Sequence, residues 1–138
     1  MHGKPSSDAA TVERFYSAWN GGDLEGVIET FAPDGEFRPV FGLLHREKRY
    51  QGRDGITAWF REFHEDWDEY RFDPEDVLAA GRHLVAIVRV AARRDLGEDT
   101  FARVAHVFAL RDSLIMLLEA RDADDTLDEL DAGEWLPP

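Results

Sequence analysis

The sequence predicts an α+β domain in which three helices come first and then cover one face of a curved antiparallel sheet. Apolar residues recur every three or four positions up to Trp67, and about every second position after it. These periods are typical of amphipathic helices and of strands, respectively. Short turn sequences separate the later apolar runs, which indicates an antiparallel meander. Helices followed by a run of strands favour an α+β domain over a parallel sheet.

The composition is that of one domain with a substantial core. The chain has 138 residues, of which 43% are hydrophobic and 12% aromatic. A chain of this length can bury a core without disulfides or bound metal ions. It has no cysteine, which excludes disulfides, thiolate catalysis and cysteine zinc sites and suits the cytoplasm. The net charge of −13 disfavours nucleic acid and anionic membranes as partners. Without a glycine-rich phosphate loop or a zinc signature, we expect no cofactor and no metal.

Spacing and capping residues define the first two helices. We expect residues 1–10 to form a flexible tail, in which Asp8 could cap the first helix, as could Thr11 at the start of the domain. The sequence "NGG" at 20–22 ends this helix, Asp23 caps the second, and Pro33 ends that one. The apolar face of the first helix consists of Val12, Phe15, Tyr16 and Trp19, and that of the second of Leu24, Val27, Ile28 and Phe31.

A short strand, a loop and a third helix follow. The strand is predicted over Glu36 to Val40 and the loop over residues 41–52. Asp54 is a candidate N-cap of the third helix. The face of this helix is unusually aromatic, with Ile56, Trp59, Phe60, Phe63 and Trp67.

Four strands and an acidic C-terminal segment complete the domain. The strands are predicted over Tyr70 to Ala80, Leu84 to Arg93, Thr100 to Leu110 and Leu114 to Ala120. Beyond them, Asp122 could cap a short helix that uses Leu127 and Leu130. The alternative is a solvated tail anchored by Trp135. We assign residues 11–130 to the domain and 131–138 to a C-terminal tail.

His106 is the first candidate for chemistry. It alternates with Val104 and Phe108, so it faces the apolar side of its strand, where desolvation favours a neutral imidazole that can act as a base. Glu119, on the next strand, could orient it as a catalytic partner. A structural histidine, and a Glu119 that points outward or pairs with an arginine, are the alternatives.

Nine further residues are candidates for binding a ligand if the helices and the sheet enclose a cavity. Their aromatic rings would favour a flat or aromatic guest. The alternatives are a core position for the tryptophan and phenylalanine rings and a surface position with a packed stem for Tyr16, Arg38 and Tyr50. Arg38 and Tyr50 are placed near the pocket mouth. The nine residues are Tyr16, Trp19, Phe37, Arg38, Phe41, Tyr50, Trp59, Phe63 and Phe108.

Three stretches at these spacings carry a resemblance to a known family: "FYSAWNGGDLEGVIETFAPDGEF", "YQGRDGITAWF" and "AHVFALRDSLI". The chain resembles the nuclear transport factor 2-like superfamily, whose fold is cystatin-like, and within it the SnoaL-like branch, named for a polyketide cyclase. The resemblance implies a cone-shaped fold with a deep, mostly apolar pocket and a homodimer formed through the open sheet face. It covers about Val12 to Leu130 and is more specific for fold than for activity.

Family residues match this sequence only in part. The general-base aspartate of the ketosteroid isomerases falls at Pro39, so that base is absent. Their first-helix tyrosine falls at Phe15, beside Tyr16, and their second oxyanion donor falls at His106. SnoaL-type cyclases use histidine and aspartate for proton transfer, a pattern that His106 fits loosely.

The sequence and the resemblance therefore leave two expected functions. The first is a proton-transfer enzyme of the isomerase, cyclase or hydratase kind that acts on a small apolar or aromatic compound. In this enzyme His106 transfers the proton, Glu119 orients it, and Tyr16 or Arg38 polarises the substrate. The second is a non-catalytic ligand-binding or dimerisation module.

Overall fold

A computed structural model describes residues 3–39, 49–93 and 100–138 and confirms the predicted α+β architecture. The helices are α1 (Gly3–Asn20), α2 (Leu24–Thr30), α3 (Gly52–Asp66) and α4 (Ala123–Ala132). The strands are β1 (Phe31–Arg38), β2 (Tyr50–Gln51), β3 (Glu69–Ala80), β4 (His83–Arg93), β5 (Thr100–Arg111) and β6 (Leu114–Asp122). None of the described helices is both long and apolar enough to cross a membrane.

One sheet has the strand order β2-β1-β6-β5-β4-β3. Strands β3 to β6 form the predicted antiparallel meander. β1 lies at the far side, parallel to β6 and antiparallel to β2. The turn between β5 and β6 is Asp112-Ser113, and both residues have positive φ angles, 54° and 61°. Such a backbone matches the twist of a tight hairpin.

The structure confirms two predicted helix caps and corrects the predicted starts of two helices and one strand. Asp23 accepts a hydrogen bond from the Gly26 amide at 3.0 Å, and Asp122 accepts one from the Asp125 amide at 2.9 Å, as predicted. α4 is thus a helix and not a solvated tail. The prediction that Asp54 is the N-cap of α3 is wrong, because α3 already begins at Gly52. The helical turns of α1 begin at Gly3, within the stretch expected to be a flexible tail. β1 begins earlier than expected, at Phe31, and Val40 lies outside the described residues.

Side-chain hydrogen bonds join α1 to the sheet at its C-terminal end and near its middle. The side-chain amide of Asn20 donates to the Phe72 carbonyl at 2.8 Å and accepts from the Phe72 amide at 2.9 Å. Near the middle of α1, the Thr11 hydroxyl donates to the carbonyl of Ser113 at 2.7 Å. These bonds hold α1 across the inner face of β3 to β6 and so position its buried side chains.

The sheet has two differently covered faces. The inner face packs on α1 and α3 through a large aromatic core. The outer face is covered in part by α4, through a smaller cluster that contains Val85, Ile87, Ala105, Val107 and Ala123. Side chains alternate between the two faces along each strand, so a residue's position in the register tells which core it joins.

Candidate functional site

His106 lies on the inner face, as its sequence pattern predicted. It is opposite Ala86 of β4 and Ala120 of β6, two small residues that leave room for its ring. Only 2% of its surface is exposed. The structure therefore presents a buried imidazole in an apolar core, which must be hydrogen-bonded to avoid a large desolvation cost.

Tyr16 of α1 is a hydrogen-bond partner of His106. Its hydroxyl lies 2.8 Å from Nδ1 of the imidazole, and Tyr16 is 4% exposed. The planes of the two rings are nearly parallel, with an interplanar angle of 9° and a centroid distance of 5.8 Å. The family resemblance had placed the first-helix tyrosine at Phe15. In the structure Phe15 is a core ring, and its neighbour Tyr16 takes the position next to the histidine.

Aromatic rings surround the Tyr16–His106 pair. Phe72 presents its ring edge-on to His106 at 5.0 Å and to Tyr16 at 6.1 Å. Phe108 contacts both rings in the same manner, at 6.2 Å and 6.0 Å. The rings described around the pair are apolar, which favours neutral groups that exchange a proton or a hydrogen bond.

The protonation of this pair determines what it can do. Burial raises the pKa of the Tyr16 phenol well above its usual value of 10.0, so the phenol keeps its proton at neutral pH. A neutral imidazole carries one N–H, and its tautomer decides which partner donates. If Nδ1 carries the proton, it donates to the Tyr16 oxygen and leaves the phenol proton for another acceptor. If Nε2 carries it, the phenol donates to Nδ1.

The other aromatic candidates that the structure describes lie in the same buried core as this pair. Six of them are buried in the inner core, namely Trp19, Phe37, Tyr50, Trp59, Phe63 and Phe108. Phe37 stacks on Trp59 with a centroid distance of 3.7 Å, and Trp19 lies 4.4 Å from Trp59. Phe41 lies outside the described residues. These close contacts form a packed core, and a role of the rings in ligand binding stays a prediction.

Two indole nitrogens in this core are unusual. Nε1 of Trp19 and Nε1 of Trp59 are buried and have no hydrogen-bond partner in the described part of the chain. Tyr50, by contrast, donates its hydroxyl to the carboxylate of Glu62 on α3. A buried donor without an acceptor is uncommon in native proteins. The inner face therefore holds hydrogen-bonding capacity beyond the Tyr16–His106 pair.

Glu119 and Arg38 do not join this group. Glu119 pairs with Val107 of β5 and with Arg38 of β1, so both side chains belong to the outer face. The carboxylate of Glu119 accepts a hydrogen bond from Arg121 at 3.3 Å. The expected orientation of His106 by Glu119 is thus corrected: the sheet separates the two side chains. The open alternative, an ion pair with a sheet arginine, is what the structure shows.

Arg38 belongs instead to a charged cluster at the outer side of β1 and β2. Its guanidinium contacts the carboxylate of Glu36, and Arg49 binds both oxygens of that carboxylate at 3.0 Å. Gln51 donates to it as well, at 3.3 Å. Burial tends to raise the pKa of Glu36, but the hydrogen bonds and charges of Arg49 and Arg38 outweigh it, and the pKa is lowered below its usual 4.5.

Phe72, Tyr70 and Glu36 take part in these contacts but were not among the predicted site residues. Phe72 touches Tyr16 and His106, and Tyr70 stacks on Phe63 at 4.4 Å. Both alternate on β3 toward the inner face, opposite Val90 and Ala92. That alternation was visible in the sequence, and continuing the inner-face pattern from β5 to β3 would have found them. The bidentate partner of Glu36 could not be found in this way, because Arg49 is thirteen positions away in the sequence.

A cleft of ≈ 220 Å³ lies between α2, β1 and the start of α3, away from the Tyr16–His106 pair. Ile28, Phe31 and Ile56 form its apolar wall, and Arg53 lies at its rim. None of the predicted site residues lines this cleft. Among the described residues, no group of three or more histidine, aspartate and glutamate side chains could hold a metal ion.

Comparison with known sequences identifies a family. The family model of the SnoaL-like domain matches residues 12–118, which include the second half of α1, all of α2 and α3, most of the sheet and the Tyr16–His106 pair. No curated protein sequence matches the chain.

Solved structures share the fold at low sequence identity. TerC, co-crystallised with polyporic acid, is 17% identical, with 90% of this chain and 97% of that chain aligned and a TM-score of 0.76. A protein of unknown function from Burkholderia pseudomallei K96243, described as nuclear transport factor 2-like, is 21% identical over 90% and 96% of the two chains, with a TM-score of 0.76. A protein from Jannaschia sp. CCS1, proposed to be a SnoaL-like polyketide cyclase, is 17% identical over 96% and 94%, with a TM-score of 0.70.

Proposed function

Because this chain belongs to the SnoaL-like domain family, we propose that it binds a small apolar or aromatic organic molecule at the inner face of the sheet. The observation that carries the proposal is the buried hydrogen bond between the Tyr16 phenol and the His106 imidazole. Two apolar side chains would fill the same space without a desolvation cost. A binding site for an organic molecule, in contrast, needs a few polar groups on an apolar wall to orient its guest.

The same pair has the chemistry for proton transfer next to a carbonyl group. In the tautomer with the proton on Nδ1, the Tyr16 hydroxyl is free to donate to a carbonyl oxygen. Nε2 of His106 is then the basic nitrogen. A hydrogen-bond donor for the developing oxyanion and a base for the adjacent carbon are the two groups that enolisation requires. Isomerases, cyclases and hydratases of this kind share that step.

Proteins of the same fold support this class of ligand. TerC has been co-crystallised with polyporic acid, and the Jannaschia protein has been proposed to be a polyketide cyclase. The fold therefore accommodates small organic molecules. In this chain the buried aromatic rings around Tyr16 and His106 favour a flat, largely apolar guest.

A second function, that of a non-catalytic ligand-binding or dimerisation module, also has an observation in its favour. The rings of the inner face pack closely, as the 3.7 Å stacking of Phe37 and Trp59 shows. In this case the Tyr16–His106 bond fixes α1 to β5 and contributes to stability alone. The two functions differ in whether a bound molecule depends on the pair.

A binding experiment separates these possibilities. A panel of planar aromatic ketones and phenols is screened by thermal shift, and hits are quantified by calorimetry. We expect Tyr16→Phe and His106→Gln to weaken binding about tenfold, the loss of one hydrogen bond to a polar ligand group. Tyr70→Phe is the matched control, because it removes another buried hydroxyl from the same aromatic core. Equal binding by all four proteins would refute the role of the pair in recognition.

A second experiment tests the proton transfer itself. A ketone that binds is incubated in D₂O, and exchange of its α-protons is followed by NMR. The enzymatic function predicts that wild-type protein accelerates the exchange and that His106→Gln abolishes the acceleration while the ketone still binds. Binding without acceleration in the wild type would favour the non-catalytic module.

We propose two further properties. The cysteine-free composition suits a cytoplasmic location. A homodimer through the outer sheet face follows from the family resemblance, but α4 covers a part of that face.

A further inference from the structure

The C-terminal segment occupies the middle of the outer sheet face. Val85 and Ile87 of β4 lie opposite Val107 and Ala105 of β5, and all four side chains are buried. Their cover consists of Ala123, Leu127 and Leu130 of α4 together with Trp135 beyond it. We call residues 122–136 the C-terminal cap.

Arg121 holds the end of the cap against the sheet. It donates to the Leu136 carbonyl at 2.7 Å, and its guanidinium lies 5.3 Å from the centre of the Trp135 ring. The ring of His83, at the start of β4, meets Trp135 edge-on at 5.6 Å. The indole Nε1 of Trp135 is buried without a hydrogen-bond partner among the described residues. Ring packing, one cation–π contact with Trp135 and the hydrogen bond to the neighbouring Leu136 carbonyl therefore hold this end of the cap in place.

The helix in the cap has little stability of its own. Five of its ten residues are acidic, and no basic residue lies in its last turn. Asp124 and Asp128 are four positions apart, as are Asp125 and Glu129, and like charges at this spacing destabilise a helix. Asp131 places a further negative charge near the C-terminus, where the helix dipole is also negative. A ten-residue helix of this composition depends on its contact with the sheet.

The surface beneath the cap has the properties of a self-complementary interface. Its centre is the apolar patch formed by Val85, Ile87, Ala105 and Val107. Its rim carries both signs of charge, with Arg103 bound to Glu75 at 3.0 Å on one side and Arg121 bound to Glu119 at 3.3 Å on the other. An apolar centre with a polar rim is the usual anatomy of an interface. A rim of both signs allows two copies related by a two-fold axis to pair opposite charges.

We propose that the C-terminal cap occupies this face in place of a second copy of the chain, so that the capped protein is a monomer and release of the cap produces a dimer. The proposal rests on the sheet-face homodimer proposed above and adds what controls it. The occupant that replaces the cap is a second copy, because the exposed patch is apolar at its centre and matches itself in charge at its rim.

The test uses the full-length chain. Leu127→Asp combined with Leu130→Asp removes the apolar contacts of α4 without touching the sheet. Sedimentation velocity over a wide range of concentrations gives the mass, and hydrogen exchange shows which elements stay folded. We expect the wild type at its chain mass of 15.7 kDa and the double variant at twice that mass, with rapid exchange confined to the cap. Asp128→Asn, on the exposed side of α4, is the matched control and should stay monomeric.

Each other outcome has a defined meaning. A wild-type dimer with a protected α4 would overturn the cap while leaving a dimer through another part of the sheet. A double variant that keeps its sheet protected, loses protection in α4 and remains a monomer would overturn both the cap and the sheet-face dimer.

If the double variant does not fold, Trp135→Ala with Arg121→Gln provides a milder release of the cap and is judged by the same criteria. Adding Val107→Lys to a dimeric variant must restore the monomer, since Val107 lies at the centre of the proposed interface. A dimer that survives this substitution would contradict the assignment. Because ligand binding depends on the inner face, the binding experiments with Tyr16→Phe succeed or fail independently of these results.

Discussion

The Tyr16 hydroxyl and Nδ1 of His106 lie 2.8 Å apart although the residues are 90 positions apart in the chain. The bond depends on the placement of α1, which Asn20 joins to β3 at the C-terminal end of the helix and Thr11 joins to the β5–β6 turn near its middle. The Tyr16–His106 pair therefore depends on α1, on β3 and on the hairpin of β5 and β6. Its geometry reports directly on how α1 sits on the sheet.

Removing either partner of this pair should destabilise the protein. Tyr16→Phe leaves a buried imidazole nitrogen without its partner, and His106→Leu leaves a buried hydroxyl in the same condition. Each costs about 1–3 kcal/mol, measured as the free energy of unfolding in urea. The double variant should cost less than the sum of the single changes, because the second substitution removes the orphaned group that the first one created.

Tyr70→Phe serves as the comparison for the single variants. Tyr70 is buried in the same core, and losing its hydroxyl should cost less than losing that of Tyr16. Strictly additive effects in the double variant would show that the two side chains are not energetically coupled, whatever their distance.

The protein should lose stability in alkaline solution because of its buried tyrosines. Burial raises the pKa of Tyr16 and of Tyr70 above 10.0 in the folded state. Above about pH 10 the unfolded chain has released these protons while the folded protein still holds them, so stability falls as pH rises. Each such tyrosine contributes a slope of up to about 1.4 kcal/mol per pH unit. Tyr70→Phe should therefore flatten the pH dependence of the unfolding free energy.

Tyrosinate absorbance provides an independent check of this prediction. For Tyr16 and Tyr70 it should appear together with the loss of far-ultraviolet circular dichroism. If all three tyrosines ionised near pH 10 in a protein that keeps its native spectrum, their burial would not control ionisation.

Acid should weaken the Glu36 cluster. Arg49 and Arg38 lower the pKa of Glu36 below 4.5 against the opposing effect of burial. The resulting stabilisation is present above the pKa of the unfolded state and is lost as pH falls through the lower folded value. Glu36→Gln should cost on the order of 1 kcal/mol at neutral pH and progressively less in acid. Glu25→Gln, which breaks an exposed ion pair with Arg53, should change little at any pH. A Glu36→Gln penalty that did not vary with pH would exclude the charge as its source.

The fold was largely predictable because its local signals agree with one another. Asp23 and Asp122 are capping residues followed by apolar periodicity, and the helices they begin are present. The start of α3 could not be found in this way, because Gln51 caps it without a side-chain hydrogen bond. The helix begins at Gly52, whose φ of 69° suits glycine at the strand-to-helix turn.

The site was predictable where periodicity is clean and not where it is broken. His106 alternates with Val104 and Phe108, and it faces the inner core as expected. Glu119 follows the continuous apolar run from Ile115 to Leu118, and the register of β6 against β5 shifts between Ala109 and Leu110. A one-residue shift exchanges the two faces of a strand, so the sequence alone could not tell which face Glu119 joins. The choice of Tyr16 over Phe15 likewise depends on the rotation of α1, which tertiary contacts decide.

The attachment of α4 should be the part of the fold most sensitive to a single capping bond. The Asp122 carboxylate accepts from the Asp125 amide at 2.9 Å, and the Thr126 hydroxyl donates to the Asp122 carbonyl at 2.7 Å. Asp122→Ala removes the first of these bonds and should destabilise α4 by about 1 kcal/mol. Because the helix is short and acidic, we expect the change as faster amide exchange in α4, with exchange in β4 and β5 unaltered. Asp128→Asn, an exposed substitution in the middle of the helix, relieves like-charge repulsion and should slow exchange in α4 slightly. Equal acceleration in α4 and in the central strands would mean that the helix opens only when the whole domain unfolds, and would remove the physical basis for a cap that releases on its own.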